Sequence, residues 1–418
     1  MAVFGPFSPK CYQSEAENAF SQAIGADTVG LFSHPREKKI GELMSLKKTL
    51  TAAAVALTSF ALVISGTTSA SAAKVPSSKA KAGDECGRAG MVAKARGAEG
   101  TDLRCLKMSY GTASGQLRWG YPDLKPLKNL DWVVPANPGG YSQTSTAISE
   151  SLKKEGLLST YTSTFKPGAG GTTGLAFFQE IKAKPESVLI TGLAMAGGIP
   201  SNKSPLKLEA STPVAKVMRE YQALAVPATS KYKTLSAFLA DWKANPKLAI
   251  SGGSLGSTDH QFIGLLAKAA GIDPKAMNFV VHSGGPEVIV SILSGATVAG
   301  TSGSAEFQAQ LAAGKIRVLA VSSAKRLPGY AAKTLTEQGV SLVYGNWRGV
   351  VATADLSEAD RLNMVKVFDT MRGSETWKGY LKQYNWDDEW AAGKAFGTFL
   401  AKELPLVAGV IKDLGLGG

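Results

Sequence analysis

Cysteine and histidine are scarce in this sequence of 418 residues, which contains three of each. Metal centres built from these residues need several ligands at short, defined spacings. After residue 73 only Cys86, Cys105, His260 and His282 remain, and their spacing fits no such centre. The sequence therefore predicts no metal site.

Long apolar runs and long runs of one charge are also missing. The most apolar stretch, near residues 50–64, has about 15 residues, fewer than the roughly 20 that span a bilayer. The net charge is +13, yet no five like charges adjoin and basic residues do not alternate with aromatic ones. These absences argue against a transmembrane anchor and against nucleic acid as a partner.

The apolar stretch lies within residues 44–73, after two lysines and before an A-x-A sequence. A basic start, an apolar centre and such a cleavage site are typical of a secretory signal peptide. We therefore expect an exported protein with a signal peptide from Met44 to Ala72, and we interpret residues 1–43 as a mis-annotated extension. No cysteine lies at the cleavage site, so the sequence predicts no bacterial lipid anchor.

The exported part begins with residues 74–84, whose Ser/Lys/Ala-rich composition predicts a linker. Residues 85–121 contain short β-like pieces between glycine-rich turns, together with Cys86 and Cys105. Two cysteines in an oxidising compartment most simply form one disulfide, and a segment this small has too little core to be stable alone. We therefore predict a small disulfide-bridged β module.

From about residue 130 the pattern changes to short apolar strands that alternate with amphipathic helices. Strands are predicted at residues 132–134, 188–190, 224–226, 248–250, 279–281 and 318–321. Phe262, Leu265 and Leu266 follow a helical period that ends at Gly271. Alternating strands and helices predict an α/β fold with parallel sheets and helices on both faces.

Four times a predicted strand runs into a glycine-rich turn and then a helix start. These turns lie within residues 133–147, 164–174, 249–260 and 279–288. Glycine lets the backbone approach a ligand closely, and a helix start offers unpaired N–H groups and a positive dipole end. Ligands of open α/β sheets bind beyond the carboxyl ends of the strands, so the four turns predict a backbone-built site for a small anion.

The third turn contains GGSLG at residues 252–256, which matches the G-x-S-x-G elbow of serine hydrolases. Those enzymes need an acid and then a histidine later in the chain, whereas residues 283–418 contain no histidine. We therefore favour a binding protein in which the Ser254 hydroxyl donates a hydrogen bond to the ligand. A secreted serine esterase using Ser254 and His282 is one alternative, and a cell-envelope interaction protein that binds through residues 85–121 is another.

Residues 168–174, GAGGTTG, loosely match the glycine fingerprint of dinucleotide-binding turns. No acidic residue ends the next predicted strand, residues 187–191, and no phosphate-binding G-x-x-x-x-G-K-[ST] motif occurs. We therefore expect no cofactor. His260 is expected at the surface of a helix start, and Trp347 and Trp377 are expected to pack rather than to bind a sugar.

Seven stretches follow one another between about residue 130 and residue 414: PANPGGYSQTSTAISESL, KPGAGGTTG, SGGSLGSTDHQFIGLLAKAAGID, VHSGGPEVIVSILSGATVAG, AAGKIRVLAVSSAKRLPG, GNWRGVVA and SETWKGYLKQYNWDDEWAAGKAFGTFLAKEL. Their order and spacing resemble the extracytoplasmic solute-binding proteins of tripartite tricarboxylate transporters, also called the Bug family. The resemblance implies an α/β, two-lobed, type II periplasmic-binding-protein-like fold with two chain crossings, which closes on its ligand.

The resemblance also implies the boundaries and the partners. Lobe one is expected over residues 122–226 and 328–418, and lobe two over residues 227–327. The expected function is that of a monomeric receptor that captures a small organic anion, such as a di- or tricarboxylate, and delivers it to membrane permease subunits.

Matching positions in the four turns imply the ligand contacts Gly139, Gly140, Tyr141, Ser142, Ala169, Gly170, Gly171, Thr172, Ser254, Ser257, Thr258, Ser283 and Gly284. Three positions depart from the family pattern. Gln143 and Ala299 stand where an aspartate is common, and Ser283 stands where a lysine is common. These departures predict a more neutral pocket, in which binding of an anion by backbone N–H groups survives.

Overall fold

The computed structural model describes residues 74–416. The signal peptide predicted from Met44 to Ala72 and the extension predicted over residues 1–43 lie outside these described residues. Within residues 74–416, no helix combines the length and the apolar character needed to cross a membrane.

The first described residues form a small antiparallel sheet. Its strands are β1 (Val92–Ala93), β2 (Leu103–Lys107) and β3 (Leu117–Gly120), paired in that order. Cys86 and Cys105 form a disulfide, as predicted, and both lie in one apolar cluster with the buried Trp119.

Residues 74–84, for which a linker is predicted, instead pack into this module. The Val75 N–H donates to the Glu85 carbonyl at 2.9 Å, and the Val75 carbonyl accepts from Trp119 Nε1 at 2.9 Å. Ala80 and Ala82 are buried in the same cluster as Trp119. Small side chains occur both in linkers and in tight cores, so composition alone could not separate the two.

The remaining strands belong to one mixed sheet in the order β5-β4-β6-β12-β7-β10-β8-β9, with β11 and β13 also paired to β7. They are β4 (Leu127–Val134), β5 (Leu158–Phe165), β6 (Ser187–Gly192), β7 (Thr212–Pro227), β8 (Ala249–Gly252), β9 (Asn278–Val281), β10 (Ala299–Gly303), β11 (Ile316–Val321), β12 (Gly345–Ala352) and β13 (Ala391–Ala392). The predicted parallel pairing occurs at the two ends, in β5-β4-β6 and β9-β8-β10. In the middle, β12 pairs antiparallel with both β6 and β7.

The α-helices of the described part connect these strands or cover them. They are α1 (Gly140–Lys154), α2 (Thr172–Gln179), α3 (Leu193–Ser201), α4 (Leu235–Ala244), α5 (Thr258–Ala269), α6 (Gly285–Leu293), α7 (Ser304–Ala312), α8 (Glu358–Arg372), α9 (Glu375–Tyr384) and α10 (Gly393–Asp413). The predicted helix around Phe262 is α5, and the predicted strands lie in β4, β6, β7, β8, β9 and β11. Trp347 and Trp377 are fully buried, as expected of packing residues.

Separate apolar cores lie along the two halves of the sixteen-residue strand β7. Val214 and Met218, near its start, belong to a cluster with Trp132. Leu224, near its end, belongs to another cluster with Phe262. Separate cores at the two ends of one strand are compatible with two lobes, and the lobe boundaries themselves stay a prediction.

The β module packs against α8 and forms hydrogen bonds with its side chains. Arg361 donates to both carboxylate oxygens of Glu99 at 2.7 and 2.6 Å, and the Tyr121 hydroxyl donates to Asp369 at 2.5 Å. The Arg361 guanidinium lowers the pKa of Glu99. Since Val365 of α8 also lies in the apolar cluster of the module, the contact combines apolar packing with paired charges.

Candidate functional site

A cleft of about 380 Å³ lies where the four glycine-rich turns meet. Residues within 135–141, 167–171, 253–259 and 281–287 line the cleft. These residues belong to the four turns that are predicted to bind a small anion. Pockets for small molecules commonly occupy about 300–1,000 Å³. The cleft therefore has room for a small organic solute.

In the first turn the backbone passes very close to a side chain from β12. A Cβ atom on Gly140 would overlap the guanidinium of Arg348. The predicted contact Ser142 does not line the cleft. Its hydroxyl instead accepts the Gly139 N–H at 3.0 Å and donates to the Gly139 carbonyl at 2.9 Å, which fixes the start of α1.

The second turn requires glycine for its backbone conformation. Gly170 has a φ of +63°, and a Cβ there would lie 2.7 Å from the Cα of Gly198. Ala169, Gly170 and Gly171 line the cleft, whereas the predicted contact Thr172 does not. The Thr172 hydroxyl donates to the Ala169 carbonyl at 2.9 Å, so it braces the turn.

The third turn presents hydroxyl groups at the start of α5. Ser254 is partly exposed and lines the cleft with Ser257 and Thr258. The Ser257 hydroxyl accepts the His260 N–H at 3.4 Å and caps the helix. Thr258 is 3% exposed, and its hydroxyl has no hydrogen-bond partner in the described protein. An unpartnered buried hydroxyl facing a cleft is a candidate ligand contact.

The expectation that His260 lies at the surface is wrong. His260 is buried, its ring stacks on Phe279 with centroids 4.2 Å apart, and its Nδ1 accepts the Gly256 N–H at 3.2 Å. Burial lowers the pKa of His260 to about 4, so the ring is neutral at physiological pH. His260 therefore holds the third turn in place rather than contacting solvent.

The fourth turn brings His282, Ser283 and Gly284 to the cleft. The Ser283 N–H donates to Glu287 at 3.0 Å, and Nδ1 of His282 lies 3.9 Å from the same carboxylate. Among the described residues, no hydrogen bond joins Ser254 to His282, although both line the cleft. The esterase alternative therefore gains no support from the geometry.

The largest group that the sequence analysis missed forms what we call the cleft floor: Glu220, Gln222, Asp259, Glu306, Asn346 and Arg348. Glu220 and Gln222 lie two residues apart on β7, and Asn346 and Arg348 lie two residues apart on β12. Residues two apart in a strand share a face. A pair of polar residues at this spacing inside an apolar strand therefore indicates a polar patch on one face of the sheet, and the sequence shows this pattern in both strands.

The cleft floor contains a buried ion pair. Arg348 Nε donates to Glu220 Oε1 at 3.2 Å, and Asn346 Nδ2 donates to the same oxygen at 2.8 Å. The Arg348 guanidinium also lies over the Tyr141 ring, 4.9 Å from its centroid. These contacts tie β7, β12 and the start of α1 together beneath the ligand space.

Two further carboxyl groups, those of Glu306 and Asp259, lie on the cleft floor. A Cβ on Gly139 would lie 3.2 Å from Glu306 Oε1, and one on Gly285 would lie 2.7 Å from Oε2. The Glu306 carboxyl group therefore lies against the starts of both α1 and α6. Burial and then the charge of Glu220 raise its pKa. The comparison that predicted a more neutral pocket missed this acid, which comes from α7, outside the compared positions.

Asp259 accepts the Gly253 N–H at 2.7 Å and also accepts the Gln222 side-chain amide. Burial, followed by the charge of Glu306, raises the pKa of Asp259 to about 8. The group is therefore largely protonated at neutral pH, which limits the repulsion among the three acids.

Of the predicted ligand contacts, all except Ser142 and Thr172 line the one cleft: Gly139, Gly140, Tyr141, Ala169, Gly170, Gly171, Ser254, Ser257, Thr258, Ser283 and Gly284. Four turns that are far apart in the sequence thus meet as expected. Ligand contact at each residue stays a prediction.

Known proteins resemble this chain in sequence and in fold. Residues 149–415 match the sequence model of the tripartite tricarboxylate transporter family receptor. The BugT protein of Bordetella pertussis is 25% identical over 241 residues, which cover 55% of this chain and 72% of BugT.

Two solved structures from Rhodopseudomonas palustris share the fold. MatC with bound malate has 17% identity and a TM-score of 0.62, over 69% of this chain and 100% of MatC. A second protein, with adipate, has 20% identity and a TM-score of 0.63, over 70% of this chain and 98% of that protein. The predicted periplasmic-binding-protein-like fold class is confirmed.

Proposed function

This chain belongs to the tripartite tricarboxylate transporter family of receptors, and we propose on that premise that it captures a small organic carboxylate outside the cytoplasm. It delivers this solute to membrane permease subunits, acts as a monomer and catalyses no reaction. Its two lobes, residues 122–226 with 328–418 and residues 227–327, close on the solute by a hinge motion.

The observation that carries the proposal is the meeting of four glycine-rich turns at one cleft of about 380 Å³. Backbone N–H groups at the helix start of the second turn favour a carboxylate, and hydroxyl groups such as that of Ser254 add directed hydrogen bonds. The similar proteins from Rhodopseudomonas palustris with malate and adipate support the choice of a small carboxylate.

Thermal unfolding with a panel of mono-, di- and tricarboxylates, amino acids and aromatic acids tests this function. A ligand at about 100 times its dissociation constant adds about 2.7 kcal/mol to the stability of the folded state. We expect a selective rise in melting temperature for one chemical class, and a flat panel would contradict the proposal.

Two matched variants locate the binding. Ser254→Trp places a large side chain in the cleft and should abolish the rise. Ser163→Trp adds the same side chain at an exposed position of β5, outside the cleft, and should leave the rise intact. An equal rise in both variants would place the binding elsewhere on the protein.

A further inference from the structure

The cleft floor offers buried hydrogen-bond acceptors that nothing in the described protein satisfies. Oε1 of Gln222 and Oδ1 of Asn346 have no partner, although these residues are only 1% and 5% exposed. Each side-chain amide turns its NH2 group toward a carboxyl group, Gln222 toward Asp259 and Asn346 toward Glu220. In these orientations each amide oxygen lacks a donor, and a buried acceptor without one is costly.

The cleft floor also has more acidic than basic side chains, so its charges, like its unpaired acceptors, favour a ligand group that donates hydrogen bonds and carries positive charge. Among the described residues that line the cleft, Arg348 is the one lysine or arginine, and Glu220 already pairs with it. Glu306 and Asp259 thus face the cleft without a cation of their own. Buried carboxylates are stable when they are paired or protonated, so a cation in the cleft would pair with these two groups.

The helix starts of the first and fourth turns already face a carboxyl group of the protein. Glu306 lies against Gly139 and Gly285 and accepts from the Ser302 hydroxyl. Residues 167–171, in contrast, line the cleft without any acidic side chain. One side of the cleft thus suits an anion, whereas the floor suits a group that donates hydrogen bonds.

We propose that the solute is an amino acid in the broad sense, an acid that also carries a protonated amine or amidine. This inference rests on the proposed receptor function. The nitrogen group lies against Glu306 and Asp259 and donates to the amide oxygens of Gln222 and Asn346. The carboxylate lies at residues 167–171 and at the Ser254 hydroxyl.

Matched acids that differ in one group provide the test. Butyrate, succinate, 4-aminobutyrate and 2-aminobutyrate share a four-carbon chain, and valerate, glutarate, 5-aminovalerate and 2-aminovalerate repeat the comparison with five carbons. The affinity of each is measured by calorimetric titration of the purified protein. We expect the best amine-bearing acid to bind at least tenfold more tightly than its amine-free counterparts.

The outcomes separate this inference from the proposed function. Binding of succinate or glutarate as tight as that of the amine-bearing acids would overturn the inference and leave the receptor function standing. Binding of no acid in the series, with a flat wider panel, would contradict both.

Variants of the floor acids test the placement of the nitrogen group. Glu306→Gln and Asp259→Asn replace a titratable carboxyl group by a neutral amide at nearly constant shape. The amide cannot become the anion that pairs with the nitrogen group, so each variant should reduce the preference for the amine-bearing acid at least tenfold. Glu180→Gln removes an exposed carboxylate outside the cleft and should leave the preference unchanged. An unchanged preference in both floor variants would refute the placement, and the titrations of the unmodified protein decide the inference even if a variant does not fold.

Discussion

The carboxyl group of Asp259 should make the empty protein less stable as the pH rises. Its pKa is about 8 in the folded protein, because of burial and then the charge of Glu306, against an ordinary value of 3.8. Between these two values the folded state binds a proton that the unfolded state has lost. The free energy of unfolding therefore falls by about 1.4 kcal/mol per pH unit across that window, on the order of 5 kcal/mol in all.

The variant Asp259→Asn isolates this contribution because asparagine does not titrate. It resembles the protonated acid, and it keeps both hydrogen bonds if the Gln222 amide turns over and accepts through Oε1. At pH 4 the variant and the unmodified protein should therefore have similar free energies of unfolding. At pH 8 the variant should be more stable by several kcal/mol.

Urea unfolding followed by tryptophan fluorescence measures the difference at each pH between 4 and 8. The unmodified protein and Glu180→Gln serve as references, since Glu180 is exposed and lies outside the cleft. Parallel curves for Asp259→Asn and the unmodified protein would refute the reasoning, because the carboxyl group would then titrate near its ordinary pKa.

Three further substitutions test the ligand contact and the module. Ser254→Ala should weaken solute binding by about 0.5–1.5 kcal/mol, the value of one hydrogen bond, in calorimetric titrations; an unchanged affinity would remove Ser254 from the site. Replacing both Cys86 and Cys105 by serine opens a loop with a sequence separation of 19 and should lower the stability to urea by about 3 kcal/mol; no loss would show that packing alone holds the module. Arg361→Ala leaves Glu99 without its bidentate partner and should speed proteolysis within residues 74–121; unchanged cleavage would show that the apolar contact with α8 suffices.

The glycine-rich turns were predictable because each one is encoded locally. A strand, a run of glycines and a helix start follow one another within about a dozen residues, and the chemistry of each turn depends on its own backbone. The sheet order then brings the four turns to one cleft. The roles of Ser142 and Thr172 were less predictable, because a hydroxyl at a helix start can bind either a ligand or its own backbone.

The cleft floor was harder to predict because its contacts are distant in the sequence. Glu220 and Arg348 are 128 residues apart, and Glu306 comes from a helix that none of the four turns includes. No short motif encodes such a cluster. Only the spacing of two residues between polar side chains in the apolar strands β7 and β12 pointed to it.

Calorimetric titration of the purified protein with the most stabilising acid of the panel tests the central claim most directly. Our account predicts saturable binding of one molecule per chain, lost in Ser254→Trp and retained in Ser163→Trp. Heat that does not saturate, or equal binding by both variants, would contradict the claim that this cleft is the solute site.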